Sequence, residues 1–392
     1  MKSILTRTVF VLGVISLFTD MASEMLYPIM PLFLQSIGFS VAGIGLLEGV
    51  AQATAGLSKG WFGKWSDASH RRVPFVQTGY LLSALAKPLM AAWLAPGWML
   101  FTRTLDRLGK GVRTGARDAI LSAEATPATK ARVFGFHRGM DTLGAAIGPA
   151  LGLLYLAFFP GAYRVLFFLA IVPGLLAVAA TFFLKEKKSP EAKAFPGLPS
   201  LSGFYNYLPK SSRAYRRLLF GLLAFGMANS SDFFLLLLLK ERGLSDALLI
   251  GTYIFYNLVY AVMAYPAGSF ADRWGLKKTF AAGVLLFAAV YAGMAFASQW
   301  WQFGVLFFAY GLYAAGTEGI AKALLSNIAG TQDTATAIGT YEGFRSLMAL
   351  LASTLAGLIW YQFGAQVLFF ATALFAATAG LYFLFVKIEI ES

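Results

Sequence analysis

The stretch Gly63-Lys-Trp-Ser-Asp-Ala-Ser-His-Arg-Arg72 lies between two long apolar runs, and its pattern returns in the second half of the chain as Gly268-Ser-Phe-Ala-Asp-Arg-Trp-Gly-Leu-Lys-Lys278. Each copy begins with glycine, places an aspartate four residues later and ends on two adjacent basic residues. Two further matches keep the same order and nearly the same spacing, 119–122 with 323–326 and 135–141 with 339–345. The repeats predict two homologous halves.

The composition excludes a soluble globular protein. Of the 392 residues, 58% are hydrophobic and 13% are charged, and the mean hydropathy is +0.66. A soluble domain of this size leaves many positions facing water, which so apolar a chain cannot fill with polar side chains. The chain contains no cysteine, which excludes disulfides and thiolate metal sites. The first apolar run is long and carries acidic residues, so we expect a retained helix and no signal peptide.

Twelve mainly apolar stretches are long enough to cross a bilayer as helices, which takes about 20 residues. They are predicted at 8–37, 41–66, 73–94, 97–122, 132–159, 162–184, 214–240, 247–271, 278–298, 301–328, 336–362 and 365–386. Membrane β-strands are much shorter and alternate in polarity. The sequence therefore predicts an all-α integral membrane protein with twelve transmembrane helices.

Basic residues concentrate in alternate connections between these segments. They follow the second, fourth and eighth segments and crowd the connection between the sixth and seventh. The positive-inside rule then predicts that both termini are cytoplasmic, and it accounts for the net charge of +13 without nucleic-acid binding. The proline-bearing stretch 185–213 is the predicted cytoplasmic linker between an N-terminal bundle of six helices at 1–184 and a C-terminal one at 214–392.

The repeated loop pattern resembles the signature that the major facilitator superfamily carries between its second and third helices. The first copy departs from that pattern at Ala68 and His70, where a basic residue and a glycine are usual. The resemblance implies two pseudo-symmetric bundles, a solute site between them, alternating access, no cofactor and a monomeric state. The opening stretch 19–28 looks like a bacterial subgroup, which implies a multi-pass protein of the bacterial inner membrane.

A glycine motif in the fifth segment is similar to one common in exporters of that superfamily that run as antiporters. Its members are Gly144, Gly148, Pro149 and Gly152. Glycines also simply let membrane helices pack closely, so this alternative stays open. The resemblance implies export of a solute in exchange for protons.

Many ionisable residues lie inside the predicted segments, where each costs about 2.5–3.5 kcal/mol on insertion scales. Asp20 and Glu24 share one face of the first segment, and Glu48 lies in the second. The fourth segment is the richest, and helical spacing puts Arg103, Arg107, Lys110, Thr114 and Arg117 in one stripe. Such a stripe cannot face lipid, so we expect it to face a cavity or neighbouring helices.

One interpretation of these charges is a lattice of structural ion pairs near the cytoplasmic ends. The expected pairs join Asp118 with Arg138, Arg113 or Arg117 with Asp141, Lys322 with Glu342, and Glu318 with Arg345. The two halves place these pairs at matching positions with opposite signs, which preserves pairing. By family resemblance, Asp118 meets Arg71 or Arg72 in a cytoplasmic latch, Asp67 meets a helix end of the other half, and Asp272 and Arg273 form the second copy.

The other interpretation applies to the charges nearer the membrane midplane. We expect Asp20 and Glu24 to carry protons, while Arg103, Arg107 and Lys110 contact an anionic solute. Further solute contacts are expected from Tyr27, Glu48, Asp232, Tyr256 and Asn257. Ordinary pairing and aromatic packing remain the competing explanation. No metal site is predicted, since the chain lacks cysteine and pairs no histidines.

These patterns predict a secondary transporter for a small polar or anionic solute, such as a carboxylate or a metal chelate. A flippase for lipids or amphipathic drugs is the alternative within transport. A membrane-embedded enzyme or sensor is a remote alternative, because the chain shows no catalytic triad, no paired-histidine motif and no P-loop. Lys87 receives no role from the sequence, and His137 is expected to be structural.

Overall fold

The computed structural model describes residues 5–27, 30, 33–34, 37–39, 41–186, 206–330 and 332–386. Over these residues the regular structure is helical and contains no strand. The helices are α1 (Arg7–Glu24), α2 (Val41–Ser69), α3 (Val73–Ala92), α4 (Pro96–Ala123), α5 (Lys130–Phe158), α6 (Tyr163–Leu169), α7 (Ile171–Thr181), α8 (Tyr207–Lys210), α9 (Arg213–Ala228), α10 (Phe233–Glu241), α11 (Asp246–Trp274), α12 (Leu276–Phe296), α13 (Trp300–Ile328) and α14 (Thr334–Phe385). Residues 187–205 of the predicted linker lie outside the described residues.

The structure corrects the predicted segments where a helix is interrupted. The helix expected over 8–37 ends at Glu24, and the one expected over 214–240 consists of α9 and α10 with a non-helical stretch at 229–232. The last two predicted segments, 336–362 and 365–386, both lie within α14, whose helical geometry is interrupted between them at Gly364, with a φ of 83° that suits glycine. The break at 229–232 falls on four polar residues inside an otherwise apolar run.

Five stretches of the described helices are long and apolar enough to cross a membrane by length and composition alone: α5, α6 with α7, α12, α13 and α14. Helix α4 is not among them because of its many charged residues. It packs instead between α2 and α3, and most of its C-terminal half is buried. Most of its charged side chains are therefore buried, and Lys110 is exposed.

Two compact units divide the chain, and each combines most of one half with a short piece of the other. The first unit comprises Met1–Glu124, Met140–Lys210 and Ala329–Gly343, and the second comprises Ala125–Gly139, Ser211–Ile328 and Phe344–Ser392. We call these short pieces the borrowed pieces. In the first unit the borrowed piece, Ala329–Gly343, includes the start of α14, and in the second the borrowed piece, Ala125–Gly139, includes the start of α5.

Glycines allow the borrowed piece of the first unit to pack closely against α2. A Cβ on Gly63 would lie 2.5 Å from the carbonyl oxygen of Ala335, and one on Gly339 would lie 2.5 Å from that of Lys59. Real Cβ atoms essentially never come within 3.0 Å of another heavy atom. Helices α2 and α14 therefore cross at backbone contact, which only glycine allows at these positions.

The second unit repeats this crossing with α11 and the start of α5. A Cβ on Gly268 would lie under 3.0 Å from the carbonyl oxygen of Ala131, and one on Gly135 equally close to that of Ala264. Gly268 and Gly135 occupy the positions that match Gly63 and Gly339 in the sequence repeat. The two units thus use the same packing device.

An aspartate caps the borrowed helix start in each unit. Asp67 accepts hydrogen bonds from the backbone N–H of Thr336 at 2.8 Å and from its hydroxyl at 2.9 Å. Asp272 accepts from the backbone N–H groups of Ala131 at 3.1 Å and Arg132 at 3.2 Å. A carboxylate satisfies the unpaired N–H groups of a helix start and interacts favourably with its dipole.

We expect Gly63→Leu and Gly268→Leu each to destabilise the protein, because the added side chain must displace a neighbouring helix backbone. Overpacking of this kind costs about 1–3 kcal/mol. The melting temperature of the purified protein in detergent measures the effect. Gly49→Leu is the matched control, since its Cβ meets nothing within 4 Å; equal losses in all three variants would contradict the close-packing argument.

Candidate solute and proton site

Small residues on α4 decide which side of this helix carries the charges. A Cβ on Gly109 would lie 2.6 Å from the carbonyl oxygen of Gly79 on α3, and Gly111 lies directly against Ser58 on α2. Helices α2 and α3 therefore approach the α4 backbone closely on these two sides. The charged stripe occupies the remaining surface of the helix.

A single buried carboxylate on α4 collects three cations. Asp106 is 4% exposed, and its oxygens lie 3.4 Å from the Lys87 Nζ, 3.5 Å from the Arg103 Nη1 and 2.9 Å from the Arg107 Nη2. Lys87 comes from α3 and is itself 3% exposed. The lysine that had no predicted role is therefore a partner in a buried charge network between α3 and α4.

Arg103 is fully engaged by carboxylates. Its Nε donates to the Glu48 Oε1 at 2.7 Å and its Nη2 to the Oε2 at 3.0 Å, a bidentate pair between α4 and α2. Its third nitrogen faces Asp106. Arg103 and Glu48, both predicted as solute contacts, are therefore paired with each other in this structure.

Arg107 and Lys110 are the stripe residues with unused hydrogen-bonding capacity. The Nε of Arg107 is buried without a hydrogen-bond partner among the described residues. Lys110 is exposed and makes no ion pair within 4.0 Å in that part of the chain, although it lies in electrostatic range of Asp20 and Asp141. These two side chains combine positive charge with free donors.

The two acids of α1 lie beside these cations. Glu24 is in electrostatic range of Lys110 and Arg107 and forms no ion pair within the described structure. Asp20 lies within hydrogen-bond reach of Asp141 on α5, which also accepts a hydrogen bond from the Ser16 hydroxyl. The first unit therefore brings Asp20, Glu24, Arg107 and Lys110 into one group, as the sequence predicted for one site.

Tyr27 belongs to the same neighbourhood. It is 53% exposed and interacts electrostatically with Glu24 and Glu48. It follows the end of α1 directly. Its hydroxyl therefore adds a neutral donor at the edge of the charged group.

The predicted contacts on the other half lie in the second unit. Asp232 occupies the interruption between α9 and α10, accepts a hydrogen bond from the Tyr310 hydroxyl at 2.7 Å and has no basic partner within 4.0 Å among the described residues. Tyr256 packs on Tyr310 with ring centroids 5.0 Å apart. Asn257 donates to the Tyr253 carbonyl of its own helix at 2.9 Å, which is a structural contact.

The residues assigned to ion pairs and gating partly find other partners than expected. Asp118 pairs with the adjacent Arg117 at 2.9 Å, and Asp67 with Arg72 at 3.2 Å. Arg132 pairs with Asp272 at 2.8 Å. Arg71 donates its backbone N–H to the Ser69 hydroxyl, and Arg273 is exposed in the last turn of α11.

Glu318 joins two arginines in the second unit. Its Oε1 lies 3.1 Å from the Arg345 Nη2, which is one of the expected pairs, and its Oε2 contacts Arg138. In the first unit Glu342 pairs with Lys59 at 3.0 Å. Lys59 and Ser16 are functional candidates that sequence reasoning missed, although an ionisable residue inside the second predicted segment was a signal for Lys59. Lys322 and His137 are both buried.

No group of three or more histidine, cysteine, aspartate or glutamate residues that could hold a metal ion occurs in the described part of the chain. The charges of the site therefore consist of acids and bases that face one another. Such a site can bind an anionic group and a proton.

The Major Facilitator Superfamily model matches residues 12–257 and 251–391. The chain belongs to this superfamily. An uncharacterized transporter of this type from Methanocaldococcus jannaschii is 32% identical over 97% of this chain and 95% of its own length. A homolog of a multi-drug resistance efflux pump from Lactococcus lactis subsp. lactis is 23% identical over 91% of this chain and 90% of its own length.

The fold of this superfamily member agrees with a solved structure. The human organic anion transporter MFSD10 superposes with a TM-score of 0.81 at 16% identity, covering 96% of this chain and 99% of that one. The predicted fold class of an all-α transporter with twelve helices is confirmed, and so is the prediction that the chain is not an enzyme. The cytoplasmic position of both termini and the division at 185–213 stay predictions.

We expect Asp106→Ala to be strongly destabilising for this transporter, because it leaves three cations without their shared carboxylate. Breaking a buried ion pair from one side costs about 3–5 kcal/mol. Glu48→Gln is the matched control, since its side chain is 29% exposed and Arg103 keeps Asp106. The melting temperatures of the purified variants test this expectation. A decrease in melting temperature for Glu48→Gln as large as that for Asp106→Ala, or larger, would contradict a central role for Asp106.

Proposed function

We propose that this transporter moves a small solute with an anionic group by alternating access, and that Arg107 and Lys110 bind that group. The observation that carries the proposal is the unused hydrogen-bond donor capacity of these two cations on α4. Lys110 is exposed and has no ion pair among the described residues, while the Arg107 Nε is buried without a partner. A buried donor without an acceptor is costly, and an anionic ligand removes that cost.

The chemistry of these two side chains favours a carboxylate or phosphate group. A guanidinium presents parallel N–H donors to two oxygens, and the lysine ammonium adds a mobile point charge. Arg103 next to them is already saturated by Glu48, so it fixes the helix geometry and leaves the solute to Arg107 and Lys110. A human relative in fold is named as an organic anion transporter, which supports this solute class.

Proton coupling follows from the acids beside the cations. Asp20 and Glu24 lie in electrostatic range of Lys110. A carboxylate binds a proton less readily next to a cation, and an anionic solute on Lys110 cancels that effect. A purely anionic solute and a proton therefore bind cooperatively, while a positive group on the solute competes with the proton for the acids.

Export by antiport requires that solute and proton compete for the same site, because they cross the membrane in opposite directions. The glycine motif of α5 and the similarity to an efflux-pump homolog favour antiport. We therefore infer a solute that carries an anionic group for Arg107 and Lys110 and a positive centre for Asp20 and Glu24. A carboxylate chelate of a metal cation has this charge pattern, and the metal is then part of the cargo.

A thermal-shift screen of the purified protein against carboxylates, phosphates, metal chelates and cationic drugs tests the solute class. We expect anionic compounds and chelates to raise the melting temperature, and Arg107→Ala or Lys110→Ala to weaken binding at least 10-fold, because each removes a charged hydrogen bond worth about 1.5–3 kcal/mol. Lys278→Ala, at an exposed lysine of α12, is the matched control.

Stabilisation by cationic or lipid-like compounds alone would contradict the proposed solute class. That outcome would favour a flippase or an exporter of amphipathic drugs. Unchanged binding of anions by both variants would remove Arg107 and Lys110 from the site.

The pH dependence of binding tests the coupling. As the pH falls, a simple carboxylate such as citrate is expected to bind more tightly and a metal chelate less tightly. Glu24→Gln should weaken both trends, because the acid near Lys110 is lost. Isothermal titration calorimetry at several pH values measures the binding of both ligands. Identical pH profiles for citrate and the chelate would refute the proposed competition between the positive group of the solute and the proton.

A further inference from the structure

Two carboxyl groups meet in the first unit at the crossing of α1 and α5. The side chain of Asp20 lies within hydrogen-bond reach of Asp141, and the Ser16 hydroxyl donates to the Asp141 Oδ1. Ionised carboxylates only accept hydrogen bonds, so two of them at this distance repel each other unless one holds a proton. Asp141 is 7% exposed, so water cannot fully screen that repulsion.

The glycine motif of α5 creates this contact. A Cβ on Gly144 would lie under 3.0 Å from the Leu17 carbonyl oxygen, and one on Gly148 would lie 2.6 Å from that of Met21. Asp20 lies between these two positions on α1. The close approach of the two backbones therefore forces the carboxyl groups together.

The same motif continues one turn further along both helices. A Cβ on Gly152 would lie 2.8 Å from the Met25 carbonyl oxygen. The contacts thus run from Leu17 to Met25, the whole part of α1 that carries its two acids. Asp141 stands three residues before the first glycine of the motif, so its side chain enters the crossing at the height of Ser16 and Asp20.

Charged groups from each neighbouring helix surround the carboxyl pair. Helix α1 adds Glu24, and α4 adds Lys110, Arg113 and Arg117. Arg117 already pairs with Asp118, and Arg113 donates to the Ser83 hydroxyl and stacks on Tyr80. Lys59 of α2 pairs with Glu342 and acts on Lys110. Lys110 is therefore the one cation of this group without a described partner that faces the pair.

We propose that Asp20 and Asp141 bind one proton between them, and that the glycine motif of α5 positions the two carboxyl groups for it. The shared proton is the coupling ion of transport, an assignment that rests on the proposed function. Glu24, which has no carboxyl neighbour in hydrogen-bond contact among the described residues, is then left to interact with the solute. The proposal gives Asp141, which the sequence predicted to pair with Arg113 or Arg117, a role in the proton site.

Infrared difference spectra of the full-length protein in lipid nanodiscs, taken between acidic and alkaline pH, test the shared proton. The C=O stretch of a protonated carboxyl reports it, since a carboxylate lacks that band. We expect Asp20→Asn and Asp141→Asn each to remove the same band, and the double variant to remove no more. The proton is shared between an oxygen of Asp20 and an oxygen of Asp141. When either aspartate is replaced, the other carboxylate stays ionised beside Lys110.

Two independent protons would give additive losses, and that result would overturn the proposal. A band that survives in both single variants would overturn it as well. Asp232→Asn is the matched control, because that acid lies in the second unit and should leave the band unchanged.

Gly144→Ala tests the positioning role while both acids stay in place. The added methyl group must push α5 away from Leu17, so we expect the band to shift or disappear. Gly49→Ala is its control, since that Cβ meets nothing within 4 Å. An unchanged band in a folded Gly144→Ala protein would overturn the positioning role; if that variant does not fold, the aspartate variants decide the proposal.

The two proposals fail separately. A shared proton in a protein that binds none of the carboxylates, phosphates or chelates refutes the solute class and leaves the proton site intact. Anion binding by a protein whose acidic and alkaline spectra show independent protons refutes the shared site and leaves the solute class intact.

Discussion

The rest of the structure depends on how a chain in an apolar solvent accommodates its buried charges. An unpaired ion in such surroundings costs several kcal/mol, so each one requires a partner, water or a ligand. Helix α4 carries more of these buried charges than any other described helix, and its Asp106 pairs with three cations. Ion pairs engage Arg103 and Arg117 at the two ends of the stripe, whereas Arg107 and Lys110 between them keep unused hydrogen-bond donors. The proposed solute site rests on these two residues.

Glycine supplies the second constraint, since charged side chains meet only where backbones come close. Gly63 and Gly268 bring each half against a helix start of the other, and an aspartate four residues later caps that helix. The same residue type brings α5 against α1 at Gly144. Polar contacts at these crossings are strong because the packing around them excludes water.

The sequence allowed the membrane class, the duplicated halves and the charged stripe to be predicted, because each depends only on residue type and spacing along one chain. It did not reveal the break at 229–232, because four polar residues inside a long apolar run still fit a single membrane helix when they are judged by mean hydropathy. The early end of α1 was missed because apolar residues follow Glu24. The ion pair of Lys87 with Asp106 and the hydrogen bond from Ser16 to Asp141 were also not predicted. Spacing along a helix fixes which residues share a face, but the depth at which two helices cross decides which faces meet, and that depth depends on packing.

The presence of a late segment of the chain in the first unit has a consequence for how the chain assembles during synthesis. The helix start that Asp67 caps and the glutamate that pairs with Lys59 both belong to the stretch Ala329–Gly343, which leaves the ribosome long after the first six helices. Until that stretch has been made, Asp67 lacks the helix start that it caps, and Lys59 lacks the glutamate with which it pairs. The first unit can therefore complete these contacts only after the stretch 329–343 has been translated.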